Sequence, residues 1–131
     1  MAREDYTNFM EKTIYDLAVQ AGYALKRADK TQVSRLIEVF QSETDPIDSI
    51  SLLMLYIMRQ SKRNELPREA HKLIEHLHKI LGFGKDDKNT LRKATLKYLT
   101  LTKWVYETEP PKEYKSLDEY IQSFSKAEGR Y

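Results

Sequence analysis

No cysteine occurs among the 131 residues. That excludes a disulfide framework, thiolate zinc sites and a cysteine nucleophile, and it fits an intracellular chain. Glycine and proline are scarce, four of each, too few for a many-turned β-sandwich or a disordered low-complexity chain. Long apolar runs are also missing. The longest near-apolar stretch, Leu52–Met58, is seven residues, against the ~20 that a bilayer span needs. The first ten residues are charged and lack an apolar centre, so no signal peptide is expected. These absences predict a soluble, cytoplasmic chain with no membrane partner. Its length predicts a single domain that buries a real core.

Catalytic patterns are absent as well. There is no Ser-His-Asp elbow and no phosphate-cradling glycine loop. Gly82-Phe83-Gly84 is too short for one and reads as a helix stop. Asp86-Asp87 reads as loop or cap residues. His71 and His78 share a helical face but lie ~10 Å apart along the axis, too far for one ion. Glu75 adds at most a second ligand, and His76 points elsewhere. The three histidines therefore read as solvated surface groups, with no metal and no cofactor. A small helical ribonuclease of the HEPN type would need an Arg and a His at a short characteristic spacing on one helix. Here Arg63 and His71 have seven residues between them, interrupted by Pro67, and Arg68 and His71 have two. The chain is not expected to be an enzyme.

What is present is helical periodicity almost throughout. A first helix is predicted over residues 4–28, with Tyr6, Phe9, Met10, Thr13, Ile14, Leu17, Ala21, Ala24, Leu25 and Ala28 in one stripe. A shorter second helix reaches Gln41, with Val33, Leu36, Ile37 and Phe40 inward. Asp45-Pro46 is a start signal: the carboxylate caps free N–H groups, and proline at the first helical position gives up no bond. The third helix, to Lys62, is apolar on nearly every side between Ile50 and Met58, which predicts the central helix of a bundle. Pro67 opens a fourth, ending near Leu81 with Gly82 as a left-handed cap. In the fifth, over residues 88–107, Leu91, Ala94, Tyr98, Leu101 and Val105 recur at alternating steps of three and four. Trp104 falls off that seam and reads as an edge-of-core residue. Pro110-Pro111 stops the helix, and Ser116 with Glu119 forms a capping box for a last short helix to about 127. The expected fold is all-α, a single-domain bundle of five to six helices, with residues 108–131 as a C-terminal extension.

Charge is unevenly spread along this bundle. Residues 59–103 carry twelve Lys/Arg against five Asp/Glu, a net +7, while residues 1–58 sum to −3 and 104–131 to −2. Such asymmetry points to a polyanionic partner. On the fourth helix Arg68, Lys72, His76 and Lys79 fall within about a quarter turn, opposite the apolar stripe. On the fifth, Lys88, Arg92, Lys93, Lys97 and Lys103 avoid the seam. Arg59, Lys62 and Arg63 join them at the junction of the third and fourth helices. Lys26, Arg27, Lys30 and Arg35 flank the first turn. If the helices are neighbours, these groups make one broad surface that neutralises phosphates without reading bases. The competing reading is a solvated outer face with local pairs such as Glu69 with Lys72.

Two stretches resemble a known family. Lys30-Thr31-Gln32-Val33-Ser34-Arg35 and Leu52-Leu53-Met54-Leu55-Tyr56-Ile57-Met58-Arg59 resemble the small helical subunits of CRISPR effector complexes. Those of type III-A (Csm) complexes are most alike, and those of type I-A or type III-B follow. The resemblance implies a non-catalytic subunit in antiviral defence that binds guide or target RNA, or a displaced strand, and stacks within a ribonucleoprotein. It implies backbone contacts by Arg35, Arg59 and Arg63, supported by Lys30 and Lys62. The full set of nucleic-acid-binding candidates is Lys30, Arg35, Arg59, Lys62, Arg63, Arg68, Lys72, Lys79, Arg92, Lys93 and Lys97. The expected partners are RNA, other subunits of such a complex and further copies of the chain. The alternative is a protein–protein adaptor that docks a partner through the fifth helix and the C-terminal segment, and a HEPN-like ribonuclease is the third option.

Overall fold

The computed structural model describes residues 3–84 and 86–128, with side chains from 12 to 126 apart from residue 85. Tyr6, Phe9 and Met10 of the expected first stripe lie outside the described side chains. Six α-helices and one 3₁₀ turn follow in order: α1 (Arg3–Ala24), α2 (Lys30–Gln41), α3 (Pro46–Lys62), the turn Arg68–Ala70, α4 (His71–Gly84), α5 (Lys88–Glu107) and α6 (Leu117–Glu128). No strand occurs among the described residues. The expected all-α bundle is what the chain forms.

The helix starts follow local chemistry. Asp45 accepts from the Ile47 amide at 2.8 Å, with Pro46 at the first position of α3. Asp87 accepts from the Thr90 amide at the start of α5. Ser116 accepts from the Glu119 amide at 3.1 Å, and the Asp16 carboxylate on α1 accepts from the Leu117 amide at 3.2 Å. Both satisfy otherwise orphaned donors of α6.

The central helix is α5, not α3. It lies along α1 and also packs against α2, α3 and α4. Ile14, Leu25, Leu36, Phe40, Leu53, Ile57, Leu73, Leu77, Ile80, Leu91 and Tyr98 are wholly buried in one cluster. Each such aliphatic side chain contributes about 1.5–3 kcal/mol relative to exposure. Helix α3 covers one side of this core with Ile50, Leu53 and Ile57. Its Leu52, Leu55 and Met58 face outward, the last two more than half exposed. Apolar residues on all sides of α3 therefore do not mean burial on all sides. Its polar Ser49 and Gln60 are buried as well, held by Glu43 O and Gln32 Oε1.

Two further expectations are corrected at helix ends. α1 stops at Ala24, and residues 25–28 close as a turn in which the Ala28 amide donates to Leu25 O at 2.8 Å. The Tyr106 hydroxyl donates to Ala28 O, fixing that turn against α5. Gly82 is not a left-handed cap: α4 continues to Gly84, and no described glycine has positive φ. Gly84 instead allows a close approach, because a Cβ there would lie a tight 3.1 Å from Leu91. The same holds for Gly22 on α1, where a Cβ would meet Val105 at 2.4 Å.

The C-terminal segment is folded onto this frame. Tyr114 and Tyr120, with ring centroids 5.0 Å apart, form a second small core with Val19 and Val105. Gln20 donates to Lys115 O.

Candidate nucleic-acid interface

The turn between α3 and α4 builds a basic concavity. Arg63 caps α3, and Asn64 adopts φ 60, the left-handed region that asparagine tolerates. The Glu65 and Leu66 amides then turn back to the Gln60 carbonyl, at 2.8 and 3.2 Å. Leu66 plugs into the core, and Pro67 leads into the 3₁₀ turn. This reversal sets Arg68 and His71 beside Arg59 and Lys62. The result is an open cleft of about 540 Å³ lined by Leu55, Met58, Arg59, Lys62, Arg68 and His71, with Ser61, Asn64 and Ile74 completing it. No acidic side chain lines it. Arg59 and Lys62 also sit in the last turn of α3, where the helix dipole favours cations.

The two stretches noted for their sequence resemblance meet just behind this cleft. Gln32 Oε1 accepts from the Tyr56 hydroxyl and from Gln60 Nε2, each at 3.1 Å. Arg59 donates to Gln60 Oε1 at 3.3 Å. A polar network thus ties the start of α2 to the end of α3 and braces the residue at the cleft's edge.

Several of the other cations have partners or hollows of their own. Arg92 donates to the Thr44 carbonyl and Lys88 pairs with Asp45 at 2.8 Å. Both anchor α5 to the N-terminal end of α3, ~20 Å along the axis from Arg59 and Lys62. That partnership holds the Asp45 carboxyl below, and the Lys88 amine above, the ordinary value. Lys97 lies over the Tyr15 ring at 4.8 Å. Lys72 pairs with Glu113 of the C-terminal segment, not with Glu69. Lys30 lines a separate hollow with Lys26, Arg27, Tyr106, Glu107 and Glu109, in which acids interleave with the bases. Arg35, Arg63, Lys79 and Lys93 are exposed. Of the eleven candidates, Arg59, Lys62 and Arg68 therefore share one acid-free cleft, with Arg63 in the turn that shapes it.

His76 does not belong to the basic face. It is buried, with Nδ1 2.9 Å from the Tyr98 hydroxyl and the rings edge to face at 5.7 Å. Burial, reinforced by Lys79 and Lys72, pushes its pKa down to about 4, so it is neutral in the folded chain near pH 7. Positions 73, 76, 77 and 80 share one helical face, so this placement was readable from the spacing. His71 and His78 are exposed. Among the described residues no group of three or more His, Asp or Glu side chains is placed to hold a metal ion.

Two residues of the cleft escaped the sequence reading because α3 was expected to be central. Leu55 and Met58 line the cleft, exposed by 60% and 53%. Trp104 is likewise not tucked at the core edge. It is 59% exposed and lines an almost wholly apolar groove of about 370 Å³ with Leu101, Leu117, Tyr120, Ile121 and Phe124. Among the described residues no helix is long and apolar enough to cross a membrane. No family model matches the chain, and no curated protein or solved structure shows significant similarity to it.

Proposed function

We propose that the chain is a non-catalytic, nucleic-acid-binding scaffold subunit of a ribonucleoprotein. Its interface is the α3–α4 cleft. The single observation that carries this reading is the convergence of Arg59, Lys62 and Arg68 with no acid among them. By contrast, Lys72 and Lys88 pair with acids, and Lys26, Arg27 and Lys30 share their hollow with Glu107 and Glu109. A cluster of unopposed cations binds phosphates and releases their counterions, without reading sequence. The resemblance of residues 30–35 and 52–59 to CRISPR small subunits extends the reading to that class of complex. It is supported by the hydrogen bonds that join Gln32 to Tyr56 and Gln60. RNA and the neighbouring subunits of the complex are the proposed partners.

Titration with single-stranded RNA tests this. Three phosphate contacts predict a log–log salt slope of about −2. Arg59→Glu with Lys62→Glu weakens binding by roughly tenfold or more at low salt. Binding that ignores salt, or is absent at low salt, contradicts the reading. Co-purification with guide RNA and effector subunits tests the particular complex.

A second reading rests on the α5–α6 groove. An exposed tryptophan beside Ile121 and Phe124 is the kind of anchor that protein partners use. On that reading the chain is an adaptor. Recovery of a nuclease-resistant complex that Trp104→Ala abolishes favours it.

A further inference from the structure

We propose that the α3–α4 cleft takes an unpaired nucleotide, base against its apolar side chains and phosphates on its cations, so that it selects single-stranded RNA over duplex. The proposal rests on the reading of this cleft as the nucleic-acid interface. Phosphate neutralisation alone does not require exposed apolar side chains beside the cations. A duplex presents its phosphates outward and hides its base faces. It would satisfy Arg59, Lys62 and Arg68 while leaving Leu55, Met58 and Ile74 in water. An unstacked base has a broad apolar face to lay on those side chains, and its own phosphates then reach the neighbouring cations. The cleft's volume of about 540 Å³ lies within the ~300–1,000 Å³ range of small-ligand sites. Leu55 and Met58 are among the most exposed large apolar side chains of the chain. Their Arg and Lys neighbours match a nucleotide's charge in a way that an uncharged apolar ligand would not.

His71 adds a preference for the ribose. Its Nδ1 lies 2.9 Å from the Arg68 carbonyl oxygen. A carbonyl can only accept, so Nδ1 carries the proton and Nε2 is the nitrogen left for a ligand. A 2′-hydroxyl, which both donates and accepts and which DNA lacks, suits that nitrogen.

The test uses the full chain and fluorescence anisotropy. The probes are a labelled short oligouridine, the same strand annealed to oligoadenine, and the matching oligodeoxyuridine. The single RNA strand should bind roughly tenfold tighter than the duplex, the equivalent of burying about one base face on apolar surface. Leu55→Ser with Met58→Ser should remove that advantage while leaving duplex binding unchanged. Both residues are exposed, so the variant should keep its circular dichroism and melting temperature. His71→Phe should narrow the gap between oligouridine and oligodeoxyuridine. Equal affinity for strand and duplex overturns the proposal and leaves the phosphate interface standing. So does a Leu55→Ser, Met58→Ser variant that keeps its single-strand preference. Displacement of the RNA by polyglutamate as effectively as by unlabelled oligouridine overturns it in favour of an acidic polypeptide. Binding of neither strand nor duplex overturns the proposal and the interface together.

Discussion

His76 is buried against Tyr98, where its charged form has lost water and gained no counter-ion. The folded pKa of about 4 against an ordinary 6.5 makes the sign of the pH effect definite. The folded chain binds fewer protons than the unfolded one between those values. Stability is therefore complete above pH 6.5, falls as pH drops towards 4 and levels below it. The loss is up to about 3 kcal/mol. Urea midpoints at pH 7.5 and 4.5 measure it, and His76→Gln should flatten the dependence. An unchanged slope in that variant would place the titrating group elsewhere. Glycines give a second residue-scale test. Gly22→Ala would press a methyl to 2.4 Å from Val105 and should cost about 1–3 kcal/mol. Gly82→Ala meets nothing within 4 Å on a helical backbone and should gain about 0.5–1 kcal/mol. Denaturant titration of both variants checks the pair, and a reversal of sign at either contradicts the packing described.

At the scale of elements, α3 and α6 behave differently from what their composition suggests. α3 has the longest apolar run yet only one buried face, so Leu55→Ser and Met58→Ser should each change stability by less than about 0.5 kcal/mol. A central helix would lose several times that. α6 is amphipathic and short, and its attachment is Tyr120 with the Asp16 and Gln20 contacts from α1. Tyr120→Ala removes the buried ring and its 2.6 Å contact with Thr108. In that variant the amides of residues 117–128 should exchange at near-open rates while α4 and α5 stay protected. Loss of protection in α4 and α5 as well would mean that the C-terminal segment is part of the main core.

Over the whole molecule, the all-α fold and its helix order were legible because they depend on local signals. Asp45-Pro46, Ser116 with Glu119 and the seam of Leu91, Tyr98 and Val105 all act within a turn or two of helix. What was not legible depends on which sector of each helix a neighbour covers. The spacing put Leu55 and Met58 on a distinct angle of α3, but only the packing of α5 at the centre leaves that angle open. The charge excess of residues 59–103 was readable, and its division was not. Arg92 and Lys88 are spent on the Thr44–Asp45 loop, and Lys72 on Glu113, by contacts 41 to 48 residues apart in sequence. Arg59, Lys62 and Arg68 remain together because the reversal at Asn64 is itself local.

The most direct measurement is therefore a charge-matched comparison of RNA binding at low salt. Arg59→Glu with Lys62→Glu should weaken single-stranded RNA binding by roughly tenfold or more and flatten its salt dependence by about one to two units of slope. Lys79→Glu with Lys93→Glu changes net charge equally, away from the cleft, and should leave most of the affinity intact. Equal losses in the two variants would mean that the chain attracts RNA by overall charge and that the α3–α4 cleft is not its interface.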